Sequence, residues 1–228
     1  MRLLALLLYP LLSSVLLALR PDAAAAQSRP DIVGAWVAVA RNSPFLTRLG
    51  VEHRDFYALA LRAGWTLGSF PGVTLSYVGD VLPIVVTTNN VNGFDLRSCG
   101  GPFGDCYYTQ LRTGTVFGTG LSPIGLAATL GPFRSLSLQL HANAGALWFT
   151  RAVPDPQAVG FNFTASGGGA IQIPLRTGYA ALVGYMLHHT SNGGLGQVNP
   201  GLDSHMLYVG MTRKPRMGRE VSHVGGER

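Results

Sequence analysis

The sequence predicts an all-β protein that folds as an eight-stranded antiparallel transmembrane β-barrel. Eight segments alternate apolar and polar residues with the period of a β-strand. An apolar segment at the N-terminus has the features of an export signal. Only 12% of the 228 residues are charged, about half the share found in a typical soluble domain. These observations together indicate an exported chain, much of which faces a nonpolar solvent.

Residues 1–26 are predicted to be a secretory signal peptide. Arg2 provides the positive charge, a long apolar run follows, and a run of alanines ends at Ala26. A retained N-terminal anchor helix is the alternative, but the small residues favour cleavage after Ala26. We therefore expect the barrel to occupy residues 27–213 and a polar C-terminal tail to occupy residues 214–228.

The prediction of the fold rests on the amphipathic segments. In the segment 136–150, Leu138 and Leu140 lie on one face, whereas Gln139 and His141 lie on the other. Such segments are longer than the average strand of a soluble protein and suit a tilted strand that spans a membrane. The eight segments are 32–41, 54–67, 72–88, 107–128, 136–150, 159–174, 177–191 and 202–212.

A polar inner face and an apolar outer face distinguish the predicted barrel from a soluble one. Eight strands enclose an interior that side chains can fill, and closure satisfies the backbone polar groups in lipid. A soluble lipocalin-like barrel is the alternative, but the inward positions of this chain are polar. The residues expected to form a packed interior, without an open channel, are Arg62, Asp80, Gln139, His141 and Asn143.

The lengths of the connections predict the orientation of the barrel. Short turns are periplasmic and long loops are extracellular in bacterial barrels of this kind, so the mature N-terminus is expected in the periplasm. Cys99 and Cys106 fall in the longest outer loop, where a structural disulfide is favoured over a redox role. The short turns are expected near 68–71, 131–134 and 175–176, and the long connections at 42–53, 89–106, 151–158 and 192–201.

Four polar residues interrupt the outward apolar face at the loop side of the last two segments. Counting by two from Leu187 places His189 and Ser191 on that face, and counting back from Leu207 gives His205 and Asp203. Cross-strand partners lie about 5 Å apart, which is within reach of a Ser–His–Asp relay. The sequence therefore predicts that Ser191 is a nucleophile, His189 its general base and Asp203 the orienting acid.

Two other interpretations of these polar residues are a hydrophilic collar and a metal site. A hydrophilic collar where the barrel leaves the membrane would also place polar residues here. The acid on the same face and the neighbouring loop rich in Asn and Gly favour a catalytic site. A zinc site formed by His189, Asp203 and His205 is disfavoured, because the spacing matches no recognised ligand pattern.

The same residues resemble the lipid A 3-O-deacylase (PagL) family, also described as acyloxyacyl hydrolase-like outer-membrane proteins. The similarity lies in the run 189–192, the Asn-Pro-Gly run 199–201, the acid at 203 and the stretch 120–126. The resemblance implies an eight-stranded outer-membrane barrel and a Ser–His–acid esterase. It departs at Asp203, because the family pattern has Glu, and an acid one methylene shorter requires a closer approach of the backbone.

The resemblance also implies roles for the loop that follows the predicted nucleophile. Asn192 and Asn199 match positions implicated in stabilising an oxyanion or in shaping the loop. Backbone N–H groups of the glycine-rich part, such as that of Gly193, could serve the same purpose. Arginines near the outer ends of the segments could contact lipid A phosphates or simply flank the membrane. These arginines are Arg41, Arg54, Arg112 and Arg151.

The function implied is removal of the ester-linked 3-O acyl chain from lipid A of lipopolysaccharide in the bacterial outer membrane. The predicted chemistry requires no metal and no cofactor. The partners are the lipid substrate and the outer membrane, and a homodimer is possible. No nucleic-acid binding is expected, because the arginines are dispersed rather than gathered in a stripe. The alternative is a non-catalytic structural barrel that retains a degenerate site.

Overall fold

The computed structural model describes ten β-strands joined by turns and loops. The described residues are 29–47, 50–89, 94–99, 106–110, 114–133, 135–155, 157–175 and 178–213. The predicted signal peptide and C-terminal tail lie outside them. None of the described residues forms a helix long and apolar enough to cross a membrane. The strands are β1 (Ile32–Thr47), β2 (Gly50–Phe70), β3 (Val73–Asn89), β4 (Phe94–Cys99), β5 (Cys106–Gln110), β6 (Val116–Phe133), β7 (Leu136–Phe149), β8 (Phe161–Pro174), β9 (Tyr179–Ser191) and β10 (Leu202–Arg213).

Eight of these strands close into a barrel in the order β1-β10-β9-β8-β7-β6-β3-β2. Every neighbouring pair in the barrel is antiparallel, including the closing pair of β1 with β10. Strands β4 and β5 form a separate two-stranded sheet between β3 and β6 in the chain. The predicted eight-stranded antiparallel barrel is confirmed.

Two predicted boundaries were wrong because strands continue where loops were expected. The predicted connection 42–53 is mostly strand, since β1 reaches Thr47 and β2 begins at Gly50. The predicted segment 107–128 divides into the short strand β5 and the barrel strand β6. Strands that extend beyond a membrane no longer alternate apolar with polar residues, so their continuation leaves little trace in the sequence.

The two ends of the barrel differ in the length of their connections. One end, here called the turn end, carries the short turns that follow β2, β6 and β8. The other end, here called the loop end, carries the connections 150–160 and 192–201 and the β4–β5 sheet. Cys99 and Cys106 are Cα partners in that sheet. The predicted division into short and long connections therefore holds, apart from the β1–β2 connection.

The alternation read from the sequence matches the burial of the side chains. Along β7, Gln139, His141 and Asn143 are buried, whereas Leu138 and Leu140 are exposed on the outer surface. Arg62 and Asp80 on β2 and β3 are also buried. Arg62 donates two hydrogen bonds of 2.7 Å to the Asp80 carboxylate. Asn143 donates to the same carboxylate at 3.2 Å.

The rest of the interior is more apolar than the sequence suggested. An eight-stranded barrel is too narrow to hold bulk water, so large side chains pack across it. Apolar residues fill much of the interior beside the polar residues around the Arg62–Asp80 pair. The largest of these buried residues are Trp36, Phe56, Leu82, Leu147, Phe149, Leu182, Leu202, Met186, Met206 and Tyr208.

Candidate active site

The candidate site lies on the outer surface of β9 and β10, at the loop end. His189 of β9 and Asp203 of β10 are direct Cα partners in the antiparallel ladder. Their side chains are 50% and 67% exposed, respectively. The inward neighbours His188 and Ser204 are buried. The prediction that His189 and Asp203 share the outward face is therefore confirmed.

A short hydrogen bond joins the two side chains. The Nδ1 atom of His189 lies 2.6 Å from Oδ1 of Asp203. An ionised carboxylate only accepts hydrogen bonds, so Nδ1 carries the proton. In a neutral imidazole this leaves the lone pair on Nε2, which is the atom that must accept a proton from a nucleophile. The contact also shows that aspartate is long enough to reach the histidine from this register.

Ser191 ends β9 two residues after His189 and is half-buried on the same face. Its Cα partner on β8 is Phe163. Residues two apart on a strand are separated by about 6.5–7 Å at Cα. Within the described chain, the Ser191 hydroxyl makes no hydrogen bond. The structure thus joins His189 to Asp203 and places Ser191 beside them, without a bond from Ser191 to His189.

Asn192 organises the loop 192–201 from a buried position. Its backbone N–H donates to Oδ1 of Asn199 at 2.9 Å, and its Nδ2 donates to the carbonyl of Val198 at 2.8 Å. Its Oδ1 accepts from the N–H of Gly194 at 2.9 Å, and its carbonyl accepts from the N–H of Leu195 at 3.1 Å. Because these groups are occupied within the loop, the geometry favours a loop-shaping role for both asparagines.

Two glycines of this loop adopt left-handed backbone conformations close to the candidate residues. Gly193 has φ 63° and Gly201 has φ 63°. A Cβ atom on Gly193 would lie 3.0 Å from the Phe163 ring, and one on Gly201 would lie 3.2 Å from Cε1 of His189. The backbone at Gly201 therefore forms a wall against the imidazole, a role that sequence reasoning missed. The signal was the Asn-Pro-Gly run, since glycine favours this conformation.

Aromatic side chains mark the level of the site on the barrel surface. Trp148 of β7 and Phe161 of β8 have ring centroids 5.3 Å apart, and Phe161 lies 5.1 Å from Phe163. Trp148 and Phe163 are exposed on the outer face. Belts of aromatic residues in membrane barrels lie at the interface between hydrocarbon and water. Ser191, as the partner of Phe163, lies at that level.

Comparisons with known proteins establish the family of this chain. The model of the lipid A 3-O-deacylase (PagL) family matches residues 93–212, which is more than half of the sequence. The chain belongs to the PagL family. This match covers β9, β10 and the loop between them, and it confirms the resemblance found in the sequence.

Two solved structures are similar to this PagL-family protein, and the first supports the fold. The crystal structure of the outer membrane enzyme PagL aligns with a TM-score of 0.52 and 16% identity, covering 78% of this chain and 97% of that chain. The crystal structure of Neisserial surface protein A aligns with a TM-score of 0.46 and 9% identity, covering 83% of this chain and 100% of that chain. A search of curated proteins gives no match. The protein is a β-barrel of the bacterial outer membrane.

One of the arginines expected to contact lipid phosphates or to flank the membrane is instead buried in this PagL-family barrel. Arg54 donates to Oγ1 of Thr87 at 2.9 Å and to the carbonyls of Gly114 and Pro154 at 3.0 Å each. These bonds tie β2 to β3 and to two connections at the loop end. Arg54 lies two residues before the buried Phe56 on β2, so both side chains point into the barrel. This alternation is the signal that could have revealed the burial of Arg54.

The other predicted arginines have different surroundings. Arg41 is exposed and lies 3.1 Å from the Asp55 carboxylate. Arg151 donates to the carbonyl of Thr115 at 2.6 Å. Arg112 lies outside the described residues. Only Arg41 and Arg151, among the described members of this set, are therefore placed at the surface.

Proposed function

We propose that this PagL-family protein is a lipid A 3-O-deacylase, an outer-membrane esterase that removes the acyl chain esterified at the 3-position of lipid A. The observation that carries the proposal is the bond between His189 Nδ1 and Asp203. This bond orients the imidazole on the lipid-facing surface so that Nε2 can accept a proton from a nucleophile. Ser191 is the adjacent hydroxyl on the same face.

The proposed reaction follows the serine hydrolase pattern. His189 Nε2 takes the proton of the Ser191 hydroxyl as the oxygen attacks the ester carbonyl. The resulting imidazolium is stabilised by Asp203 and returns the proton to the sugar oxygen as the ester bond breaks. Water then attacks the acyl-serine with His189 as base, and the fatty acid is released. The hydrogen bond from the Ser191 hydroxyl to His189 is expected to form when the substrate binds, since catalytic hydrogen bonds are often long in free enzymes.

The backbone N–H of Gly193 is proposed to stabilise the oxyanion. It lies two residues after the nucleophile, and within the described chain it has no hydrogen-bond partner. The backbone N–H of Asn192 donates to Asn199 and its Nδ2 donates to the carbonyl of Val198, so Asn192 is engaged in the loop. Asn192 and Asn199 are proposed to hold the loop in the shape that exposes the Gly193 N–H.

The position of the site suits a substrate that resides in the membrane. The three proposed catalytic side chains lie on the outer face, near the aromatic residues that mark the interface. An ester bond of a lipid at this level could reach Ser191 without leaving the bilayer. All three residues come from β9 and β10 of one chain, so the site needs no second copy. The homodimer allowed by the sequence stays a prediction.

Mass spectrometry of lipid A from cells that produce the protein tests this proposal. The wild-type protein is expected to yield lipid A lighter by one ester-linked acyl chain, and Ser191→Ala to leave the lipid unchanged. The variant must reach the outer membrane at the wild-type level, which surface labelling of a tag at Gly101 would report. An unchanged lipid A with wild-type protein in place would favour the non-catalytic structural barrel.

A further inference from the structure

The connection between β7 and β8, residues 150–160, packs against the loop that carries the proposed oxyanion donor. A Cβ atom on Gly196 would lie 3.1 Å from Cα of Ala158 in that connection. The same atom would lie 3.0 Å from Nδ2 of Asn192, the residue that organises loop 192–201. Both distances are shorter than an ordinary van der Waals contact. Gly196 therefore lies between the connection and Asn192, with no room for a larger side chain.

Hydrogen bonds fix the position of Ala158 within the connection. The Ala158 N–H donates to the carbonyl of Asp155 at 3.0 Å. The carbonyl of Val159 accepts from the N–H of Val153 at 3.3 Å and from Nδ2 of Asn162 at 3.3 Å. Asn162 is buried on β8, so the last of these bonds attaches the connection to the barrel strand beside β9. The surface that meets Gly196 is therefore held in place.

Arg54 holds the middle of the connection from the opposite wall of the barrel. Its Nη1 donates to the carbonyl of Pro154 at 3.0 Å. Arg54 belongs to β2, which is four strands from β8 in either direction around the barrel. Val153, the neighbour of Pro154, is completely buried among the apolar residues of the interior. The connection therefore enters the mouth of the barrel at the loop end, where the Arg54 guanidinium binds it.

We infer that the β7–β8 connection positions the loop between β9 and β10 for catalysis, with Arg54 and Gly196 as positioning residues. Neither residue contacts the ester in the proposed mechanism. Both act through Ala158 and Asn192 on the backbone N–H of Gly193, the proposed oxyanion donor. Such a donor lowers the barrier only when it is held at the point where charge develops. The inference rests on the proposed esterase function and adds a part of the barrel, remote from the ester, that the rate requires.

Steady-state hydrolysis of lipid A by the full-length protein in detergent micelles tests the inference. Rates are expressed per folded molecule, which the heat-dependent gel mobility of barrels reports. Gly196→Ala and Arg54→Met should each lower kcat about tenfold at unchanged KM, because a misplaced donor weakens binding of the transition state and not of the substrate. The pH dependence of kcat should not change, because the hydrogen bond between His189 and Asp203 stays intact. A loss of folded protein alone would leave kcat per folded molecule at the wild-type value.

Two variants are matched controls, one for a change in the same loop and one for the loss of a buried arginine. Leu195→Ala alters the exposed neighbour of Gly196. Arg62→Met removes a second buried arginine of β2, which bonds Asp80 and, among the described residues, makes no bond to the β7–β8 connection. Both variants should keep the wild-type kcat per folded molecule.

The combination of Gly196→Ala with Arg54→Met distinguishes one shared path from two separate effects. If both substitutions act through the connection, the double variant should be about as slow as the slower single variant. Independent effects would multiply to a loss of about 100-fold, which would overturn the inference. If Arg54→Met does not fold, the same combination is made with Arg54→Lys, which keeps the charge but donates from one nitrogen.

Two further outcomes separate a failure of the inference from a failure of the proposed function. A wild-type kcat per folded molecule in either single variant would overturn the inference and leave the esterase function standing. A wild-type protein that hydrolyses no lipid A would reject the proposed function and the inference together.

Discussion

Two pairs, each of a basic and an acidic residue, face each other across neighbouring strands of this barrel. The pairs have the same cross-strand alignment but different surroundings. Arg62 and Asp80 are direct Cα partners on β2 and β3, as His189 and Asp203 are on β9 and β10. The Arg62 and Asp80 side chains are 3% and 1% exposed, whereas those of His189 and Asp203 are 50% and 67% exposed. The register is the same, and only the face of the strand differs.

The difference between the faces determines what each pair can do. The interior pair uses two bonds of 2.7 Å and a further bond from Asn143, so Asp80 is fully engaged with protein atoms. The outer pair uses one bond of 2.6 Å, and Nε2 of His189 has no hydrogen bond to any residue that the structure describes. An arginine is always charged and only donates, whereas a neutral histidine can accept a proton. The interior pair is suited to structure and the outer pair to proton transfer.

Removing a member of the outer site is expected to have the largest effect on activity. Ser191→Ala and His189→Ala should each lower the deacylation rate by about 10⁶-fold, as loss of one member of a catalytic unit does in a serine protease. Both residues lie on the outer face and contribute little to interior packing, so the barrel should remain folded. Single-turnover hydrolysis in micelles measures the rate, and the heat-dependent gel mobility of barrels reports folding. A rate close to that of the wild-type protein in either variant would contradict the catalytic role assigned to that residue.

Substitutions at Asp203 separate the need for a carboxylate from the need for its particular length. Asp203→Asn should lower the rate by about 10⁴-fold, because the amide no longer fixes the histidine tautomer. Asp203→Glu restores the acid of the family pattern and should retain activity. Rates for both variants under the same assay give the comparison. If Asp203→Asn and Asp203→Ala both keep the wild-type rate, Asp203 has no part in the mechanism.

The interior pair should affect stability and not chemistry. Arg62→Met leaves Asp80 buried without its partner and should cost about 3–5 kcal/mol, whereas Arg62→Met combined with Asp80→Leu should recover most of that loss. Urea unfolding in lipid vesicles measures the free energy of unfolding. The activity per folded molecule should stay the same in both variants. A large fall in that specific activity would show that the two pairs are coupled.

The smallest effect is expected at the wall behind the histidine. Gly201→Ala adds a Cβ 3.2 Å from Cε1 of His189 at φ 63° and should lower the rate about tenfold, because the imidazole must shift away from its catalytic position to admit the methyl group. Gly194→Ala is the control, because Gly194 has φ 84° but nothing within 4 Å of an added Cβ. Equal losses in the two variants would assign the effect to backbone strain and not to the contact with His189.

Counting along the strands predicted much of the site from the sequence. The alternation of β9 and β10 is regular from Tyr179 to Ser191 and from Leu202 to Arg213, so parity alone placed His189 and Asp203 on one face. The hydrogen bond between them follows from the register, which the sequence could not give by itself. Parity with Phe56 would also have placed Arg54 inside the barrel. Its position near an outer strand end led instead to the expectation of a phosphate contact or a polar flank, and its burial contradicts both.

The parts that could not be predicted depend on contacts that the alternation of residues along a strand does not specify. The bonds of Asn192 within its loop and the wall formed by Gly201 arise only when the loop closes over β9. The hydrogen bond between the Tyr185 hydroxyl and His205 depends on the diagonal alignment of two strands. Alternation assigns a residue to a face but does not identify its partner on that face.

Covalent labelling by a fluorophosphonate probe tests the central claim most directly, namely that the outer pair of β9 and β10 activates Ser191. The probe forms a bond to a serine oxygen only when a base removes its proton. Peptide mass spectrometry of the purified protein is expected to locate the label on Ser191, with labelling lost in His189→Ala and strongly reduced in Asp203→Asn. A label on another residue, or equal labelling of Ser191 in the wild-type protein and His189→Ala, would contradict the account.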